Sequence, residues 1–459
     1  MNNKMKRLVR NIGIFAIGNL GSKVIGFLLI AIFTRYLTTT QFGYVDLITT
    51  TVNMLLPIIA LSIADAVFRF VMDDDANDQM IFSTGVSFTL LISLIVFLIA
   101  FPILKLFDVH YAGLVLLYLA ASLVQILFQN FVRGIGYVRL FAFNGLVSAL
   151  VLAGCGIWQV VYLRNGITGY LNALIIATIF SALFIGFIAK LWTFFRISAN
   201  NRQLLKAMLQ YSIPLIPNAF LWFFTNDASR YFIVGFVGLA ANGLYAVATK
   251  LPTIINVFYT IFSQAWQISA VEEYRKNRHS RFFSDVFSAD VGLSVILIGA
   301  ILIILRPIMT IFVASEYFDA WKIVPALLLA SFFSNLASFL GTIYLATKET
   351  KGIMMTTVYG MIVNLLLNVI LIPLFGIQGA GIGAAIGFAF VMYIRLRDIR
   401  KFVDLHVNWR QLWFSLLILF SIVWMQFIFT MGSPFLYVLV VSLESILVWI
   451  NRKALKKIN

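Results

Sequence analysis

Gly166-Ile167-Thr168-Gly169 opens an apolar run that continues through Ala173 and Ala177, and Gly376-Ile377-Gln378-Gly379 opens another that continues through Gly383 and Gly387. The second stretch is the first displaced by 210 residues, with a small residue at every fourth position in both. That spacing lets two membrane helices approach closely. Earlier in the chain, Pro102-Ile103-Leu104-Lys105-Leu106-Phe107 pairs with Pro307-Ile308-Met309-Thr310-Ile311-Phe312 at a shift of 205. Gly43-Tyr44 pairs with Gly243-Leu244-Tyr245 at a shift of 200. Matches in chain order with slowly growing offsets describe one bundle duplicated.

Composition agrees. The chain is 61% hydrophobic and 11% charged, and its mean hydropathy is +0.97, far outside the range of soluble domains. Crossing about 30 Å of hydrocarbon takes roughly 20 apolar residues. The sequence predicts fourteen such spans, near 11–33, 45–68, 81–104, 112–132, 142–163, 168–191, 213–237, 241–268, 286–312, 321–346, 353–375, 377–394, 411–431 and 434–450. Strand-like alternation is absent, so the expected fold is an all-α polytopic membrane protein. The first span is too long for a signal-peptide core and no small-residue cleavage site follows it.

The expected organisation is an N-terminal lobe over 1–192 holding six spans, a cytoplasmic linker over 193–211, and a C-terminal lobe over 212–395 holding six more. An appended pair of spans and a basic tail occupy 396–459. Six spans is an even number, so both lobes keep one orientation and relate through a pseudo-two-fold axis along the membrane normal. The net charge of +16 is not a nucleic-acid footprint. Most of the 34 basic residues fall in alternate loops, which by the positive-inside rule assigns those loops and both termini to the cytoplasm.

Soluble-enzyme chemistry finds no support. Cys155 stands alone in an apolar span, His110, His279 and His406 lie in separate loops, and there is no Gly-Lys-Ser/Thr phosphate loop. No cofactor or metal is expected, and no loop is large enough for an extramembrane catalytic domain.

Polar groups inside the bilayer are costly, which makes them the functional candidates. Lys23, Arg230 and Lys250 fall within spans. Lys23 and Lys250 have no acid within a turn in sequence and are too deep to reach the interface, which points to a water-filled interior. Arg230 follows Asp227 by three residues, so cavity lining and an intrahelical ion pair both stay open. Asp65 and Arg69, four apart, suit a structural pair. Asn256, Thr260, Ser263 and Gln267 recur along one helical face, and Asn364 and Asn368 follow Gly360 at fours. Either set suits a polar cavity or hydrogen bonding between helices. Pro214 and Pro217 invite a bend where the seventh span begins. Asp65, Asp227 and Glu272 are the candidates for binding a coupling ion.

Arg35-Tyr36-Leu37, followed after four residues by Phe42-Gly43-Tyr44, resembles the first-loop signature of Wzx-type polysaccharide flippases. Gly243-Leu244-Tyr245-Ala246-Val247-Ala248-Thr249-Lys250 is similar to the start of the eighth helix in that family. The resemblance covers the whole chain in length, span count and lobe organisation. It implies membership of the multidrug/oligosaccharidyl-lipid/polysaccharide superfamily, with its MATE-like fold. It further implies that an undecaprenyl-diphosphate-linked oligosaccharide is moved between leaflets of a bacterial plasma membrane. By that resemblance Lys23, Arg35, Arg230 and Lys250 line a cationic cavity. The partners implied are the lipid-linked substrate, membrane lipids, and a polymerase and glycosyltransferases of the same pathway. The physics fits: a diphosphate carries about two negative charges, and ammonium and guanidinium groups suit its oxygens. Two other readings are weighed. A drug or cation antiporter prefers acids in its cavity, which Asp227 keeps open. A membrane polymerase needs large catalytic loops, which the short outer connections do not supply.

Overall fold

A computed structural model describes residues 21–73, 75–196, 199, 201–276, 281–347, 349–429 and 434–455. The basic N-terminal residues, the first half of the 11–33 span, Asp74 and His279 lie outside the described residues. The described chain is helical, with ten helices long and apolar enough to cross a membrane among the described residues. It divides into two compact units, Met1–Phe223 and Phe224–Asn459.

The first unit begins with α1 (Gly21–Phe33). It continues with α2 (Thr39–Ile59), α3 (Ile63–Phe70), α4 (Asp78–Leu106), α5 (Ala112–Gly134), α6 (Val138–Gly156) and α7 (Gly166–Ile188). Then come α8 (Arg202–Ser212) and α9 (Ile216–Asn226), the last three residues of which belong to the second unit. The predicted 45–68 span is interrupted. Leu61 and Ser62 take left-handed backbone conformations between α2 and α3, with φ near 50° and 52°. On α3, Ile63, Ala66 and Val67 join Phe82, Leu127 and Phe131 in a buried core. Leu90, Leu94 and Leu98 of α4 stay exposed; apolar surface on that scale requires lipid around it.

The stretch expected to be a linker holds α8. Asn201 caps it, its side chain accepting from the backbone N–H of Gln203 and Leu204 at 2.8 and 3.0 Å. Pro214 lies in the short 3₁₀ turn Ile213–Leu215 that joins α8 to α9. The α-helical ladder therefore tightens into a 3₁₀ turn at Pro214.

The second unit holds α10 (Ser229–Phe236), α11 (Leu239–Ala248), α12 (Lys250–Lys276), α13 (Phe282–Phe312), α14 (Val324–Thr347), α15 (Thr350–Phe375) and α16 (Ile377–Asp398). It ends with α17 (Trp409–Ile428) and α18 (Pro434–Leu455). α14 is the central helix, with Phe332, Leu336, Phe339, Leu340, Ile343 and Tyr344 all buried. Trp266 of α12 stacks on Phe339 at 4.2 Å between ring centroids. The α17–α18 pair packs on α13, and Asn451 ties it together by donating to Ser415 Oγ at 3.1 Å and accepting from Gln411 at 2.7 Å.

The repeated motif has a physical reason. Gly166 and Gly376 both have positive φ, 54° and 61°, at tight turns into α7 and α16. A side chain there is strained. Three residues on, Gly169 lies so close to Gln159 O and Gly379 so close to Leu371 O that an added Cβ would collide with backbone. Gly383 and Gly387 continue the contact against Leu367 and Asn364. Each motif is a turn glycine followed by a helix-packing glycine.

A cationic cavity at two helix breaks

Two of the predicted spans break at the candidate site. The seventh splits into α9 and α10 around Asp227 and Ala228. The run Thr225-Asn226-Asp227 ends α9 with short polar side chains that compete for backbone hydrogen bonds. The eighth splits at Thr249. Pro252 has no N–H to donate to Ala248 O, and Thr249 Oγ1 donates to Ala246 O at 2.8 Å. Broken helices at membrane depth are tolerated where they line a cavity.

A cavity of about 270 Å³ opens at these breaks. Asp227, Ser229 and Arg230 line one side, and Lys250, Thr253 and Asn256 another. Ser331 and Ser334 of α14 and Phe388 of α16 complete the wall. Arg230 Nη1 donates to Asp227 Oδ1 at 2.7 Å, and its guanidinium lies 5.6 Å from the Tyr245 ring centroid. The ion pair is therefore formed, between Asp227 in the break and Arg230 on α10, and Arg230 still lines the cavity. A carboxylate on one side and a ring face on the other fix the guanidinium's orientation.

Asn364 and Asn368 lie behind this wall. Ser229 Oγ donates to Asn368 Oδ1 at 3.2 Å, and Asn368 Nδ2 donates to Asn364 Oδ1 at 2.8 Å, with both asparagines buried. They pin α15 to α10. Thr260 and Ser263 bond to backbone carbonyls one turn back, Asn256 O and Thr260 O, at 2.7 and 3.0 Å, and Gln267 is exposed. Of that predicted face, Asn256 alone reaches the cavity. The Glu272 side chain lies outside the described residues.

In the first unit, Lys23 is exposed on α1 and makes no ion pair or hydrogen bond among the described residues. Arg35 is exposed in the turn after α1. Arg69 pairs with Asp73, not with Asp65, which is exposed on α3. The Arg35–Tyr44 stretch also builds structure. Leu37 and Phe42 are buried, and Thr38 and Gln41 form a reciprocal capping box at the start of α2. The Thr-x-x-Gln spacing was the available signal for that cap.

A family model described as polysaccharide biosynthesis protein matches residues 8–267, more than half of the chain. The chain belongs to that family. The match covers the first unit from residue 8 and ends within α12, taking in Lys23, Arg35, Arg230 and Lys250. The chain has the fold of solved transporters. Lipid II flippase MurJ in an inward closed conformation superposes with a TM-score of 0.69 at 14% identity, covering 95% of this chain and 97% of that one. An inward-facing multidrug resistance MATE family transporter gives a TM-score of 0.66 at 13% identity over 84% and 94%. A mutant of the Vibrio cholerae MATE transporter VcmN gives 0.59 at 13% identity over 86% and 97%. No curated protein matches the sequence. The protein is a multi-pass membrane protein of MurJ/MATE-like fold.

Proposed function

We propose that this protein is a flippase that carries an undecaprenyl-diphosphate-linked oligosaccharide repeat unit from the cytoplasmic to the outer leaflet by alternating access. The observation that carries the reading is that Arg230 and Lys250, from two separately broken helices, open on one small polar cavity. Two cations facing one carboxylate leave an excess of positive charge suited to a diphosphate. A space of about 270 Å³ has room for phosphate groups, while a sugar chain must extend beyond it. Family membership supports a role in polysaccharide biosynthesis, and the likeness to a lipid II flippase supports a lipid-linked cargo.

The same reading assigns Lys23 and Arg35 to phosphate attraction from the first unit. It puts the protein in a bacterial plasma membrane with both termini cytoplasmic, and it makes the pathway's polymerase and glycosyltransferases its partners. No covalent step is required. Asp227 also favours a second reading, a cation antiporter of the same fold. A coupling ion at Asp227 would have to compete with the Arg230 guanidinium 2.7 Å away.

The deciding experiment is transport in proteoliposomes with a defined undecaprenyl-diphosphate oligosaccharide. The reading expects translocation by the wild type and its loss in an Arg230→Ala/Lys250→Ala variant. Movement of organic cations with no movement of the lipid-linked glycan would replace it with the antiporter reading.

A further inference from the structure

A second cavity, of about 950 Å³, opens at the ends of α13, α17 and α18. It shares no residue with the cavity at the helix breaks. Arg281 at the start of α13, Arg410 in the first turn of α17 and Arg452 near the end of α18 line it, and all three are exposed. Asp285 is the one carboxylate in the lining among the described residues. Arg410 lies 5.9 Å from the Phe414 ring centroid and Arg452 lies 5.0 Å from that of Trp449. These rings are themselves 48% and 60% exposed, although large aromatic groups gain by burial. The floor is fixed by hydrogen bonds. Gln411 donates to Asn451 Oδ1 at 2.7 Å and to Ser288 O at 3.3 Å, and Ser284 Oγ accepts from the His406 backbone N–H at 2.9 Å.

We propose that this cavity binds the phosphate of an anionic membrane phospholipid, whose acyl chains run along Phe414 and Trp449. Three guanidiniums against one carboxylate select an anion, and each guanidinium presents N–H donors in a planar fork that matches phosphate oxygens. Cation–π contact holds Arg410 and Arg452 by their faces and leaves those donors free for a ligand. The rings identify the source. A soluble anion uses the arginines and leaves Phe414 and Trp449 in water, whereas a lipid uses both. Tryptophan at headgroup depth and basic pockets between spanning helices are the general signature of such recognition. The reading does not depend on transport through Arg230 and Lys250, so its test is separate from the transport assay.

Delipidated full-length protein in detergent is titrated with dioleoyl phosphatidylglycerol, dioleoyl phosphatidylcholine and inorganic phosphate. Bound lipid is read by native mass spectrometry, and thermal stability is followed in parallel. Phosphatidylglycerol is expected to bind at least tenfold more tightly than phosphatidylcholine. An Arg281→Gln/Arg410→Gln/Arg452→Gln variant is expected to lose at least about tenfold of that affinity while keeping its lipid-free melting temperature, because all three side chains are exposed. Should the triple variant fail to insert, Arg410→Gln and Arg452→Gln are measured singly, each with an expected loss of several-fold. Equal affinity for the two lipids, or undiminished phosphatidylglycerol binding by the variants, would overturn the proposal. Equal stabilisation by inorganic phosphate would overturn it too, leaving a soluble-anion site.

Discussion

Arg230 and Asp227 form an ion pair at 2.7 Å across the break between α9 and α10, with the Arg230 side chain 12% exposed and that of Asp227 40% exposed. The carboxylate is more accessible than the guanidinium it orients. Replacing Arg230 by alanine should lower glycan export at least tenfold, from the loss of roughly 1.5–3 kcal/mol of charge–phosphate interaction. Arg230→Lys should retain part of the activity, since charge survives but the fork does not. Adding Asp227→Ala to Arg230→Ala separates the roles. Restored export would show that the pair serves structure alone, and continued loss is expected.

Lys23 is exposed and has no ion-pair partner among the described residues. Lys23→Ala should therefore abolish export while the protein still inserts at normal abundance and melts at the wild-type temperature. Lys23→Arg should keep partial activity. A well-expressed Lys23→Ala protein with wild-type export would remove Lys23 from the substrate path.

Gly379 approaches the backbone of Leu371 with no room for a Cβ, and Gly376 turns the chain at φ 61°. Gly379→Ala must push α16 away from α15, and a destabilisation of about 2 kcal/mol is expected, seen as a lower melting temperature in detergent. Gly376→Ala should cost about 1–3 kcal/mol, because φ 61° with ψ −142° is a backbone conformation essentially restricted to glycine. Gly235→Ala, which meets nothing within 4 Å, is the control and should melt like the wild type.

Arg395, in the last turn of α16, is 7% exposed. From α16 it donates to Ala337 O of α14 at 2.7 Å, and to Thr356 Oγ1 and Thr357 Oγ1 of α15 at 3.0 and 3.1 Å. Gly341 leaves the space its guanidinium occupies. Arg395→Ala should destabilise the second unit by about 3 kcal/mol, because three acceptors lose a buried charged donor. Arg395→Lys should rescue little, since one ammonium cannot span two helices in the same way. Unchanged thermal stability of the alanine variant would contradict this role.

The site was only partly legible in the sequence. Arg230, Lys250, Asp227 and Asn256 could be picked out because charged and amide groups stand out against apolar spans, and they share one cavity. Asn364 and Asn368 carried the same polar signal but pack between helices, bonded to each other and to Ser229. Spacing along a helix says which side chains share a face and not what that face meets. Arg69 likewise had an acid four residues away on either side, and it pairs with Asp73.

By itself the sequence determined that this is an all-helical, multi-pass membrane protein. Hydrophobic run length, loop charge and recurring glycines are local properties that survive without knowledge of any partner. Tertiary structure decided where the helices break, at Leu61–Ser62, Asp227–Ala228 and Thr249, and which cations share a cavity. Those outcomes depend on competition between backbone hydrogen bonds and side chains supplied from distant helices, as when Arg395 of α16 finds its acceptors on α14 and α15. No periodicity within a single span records such a partner.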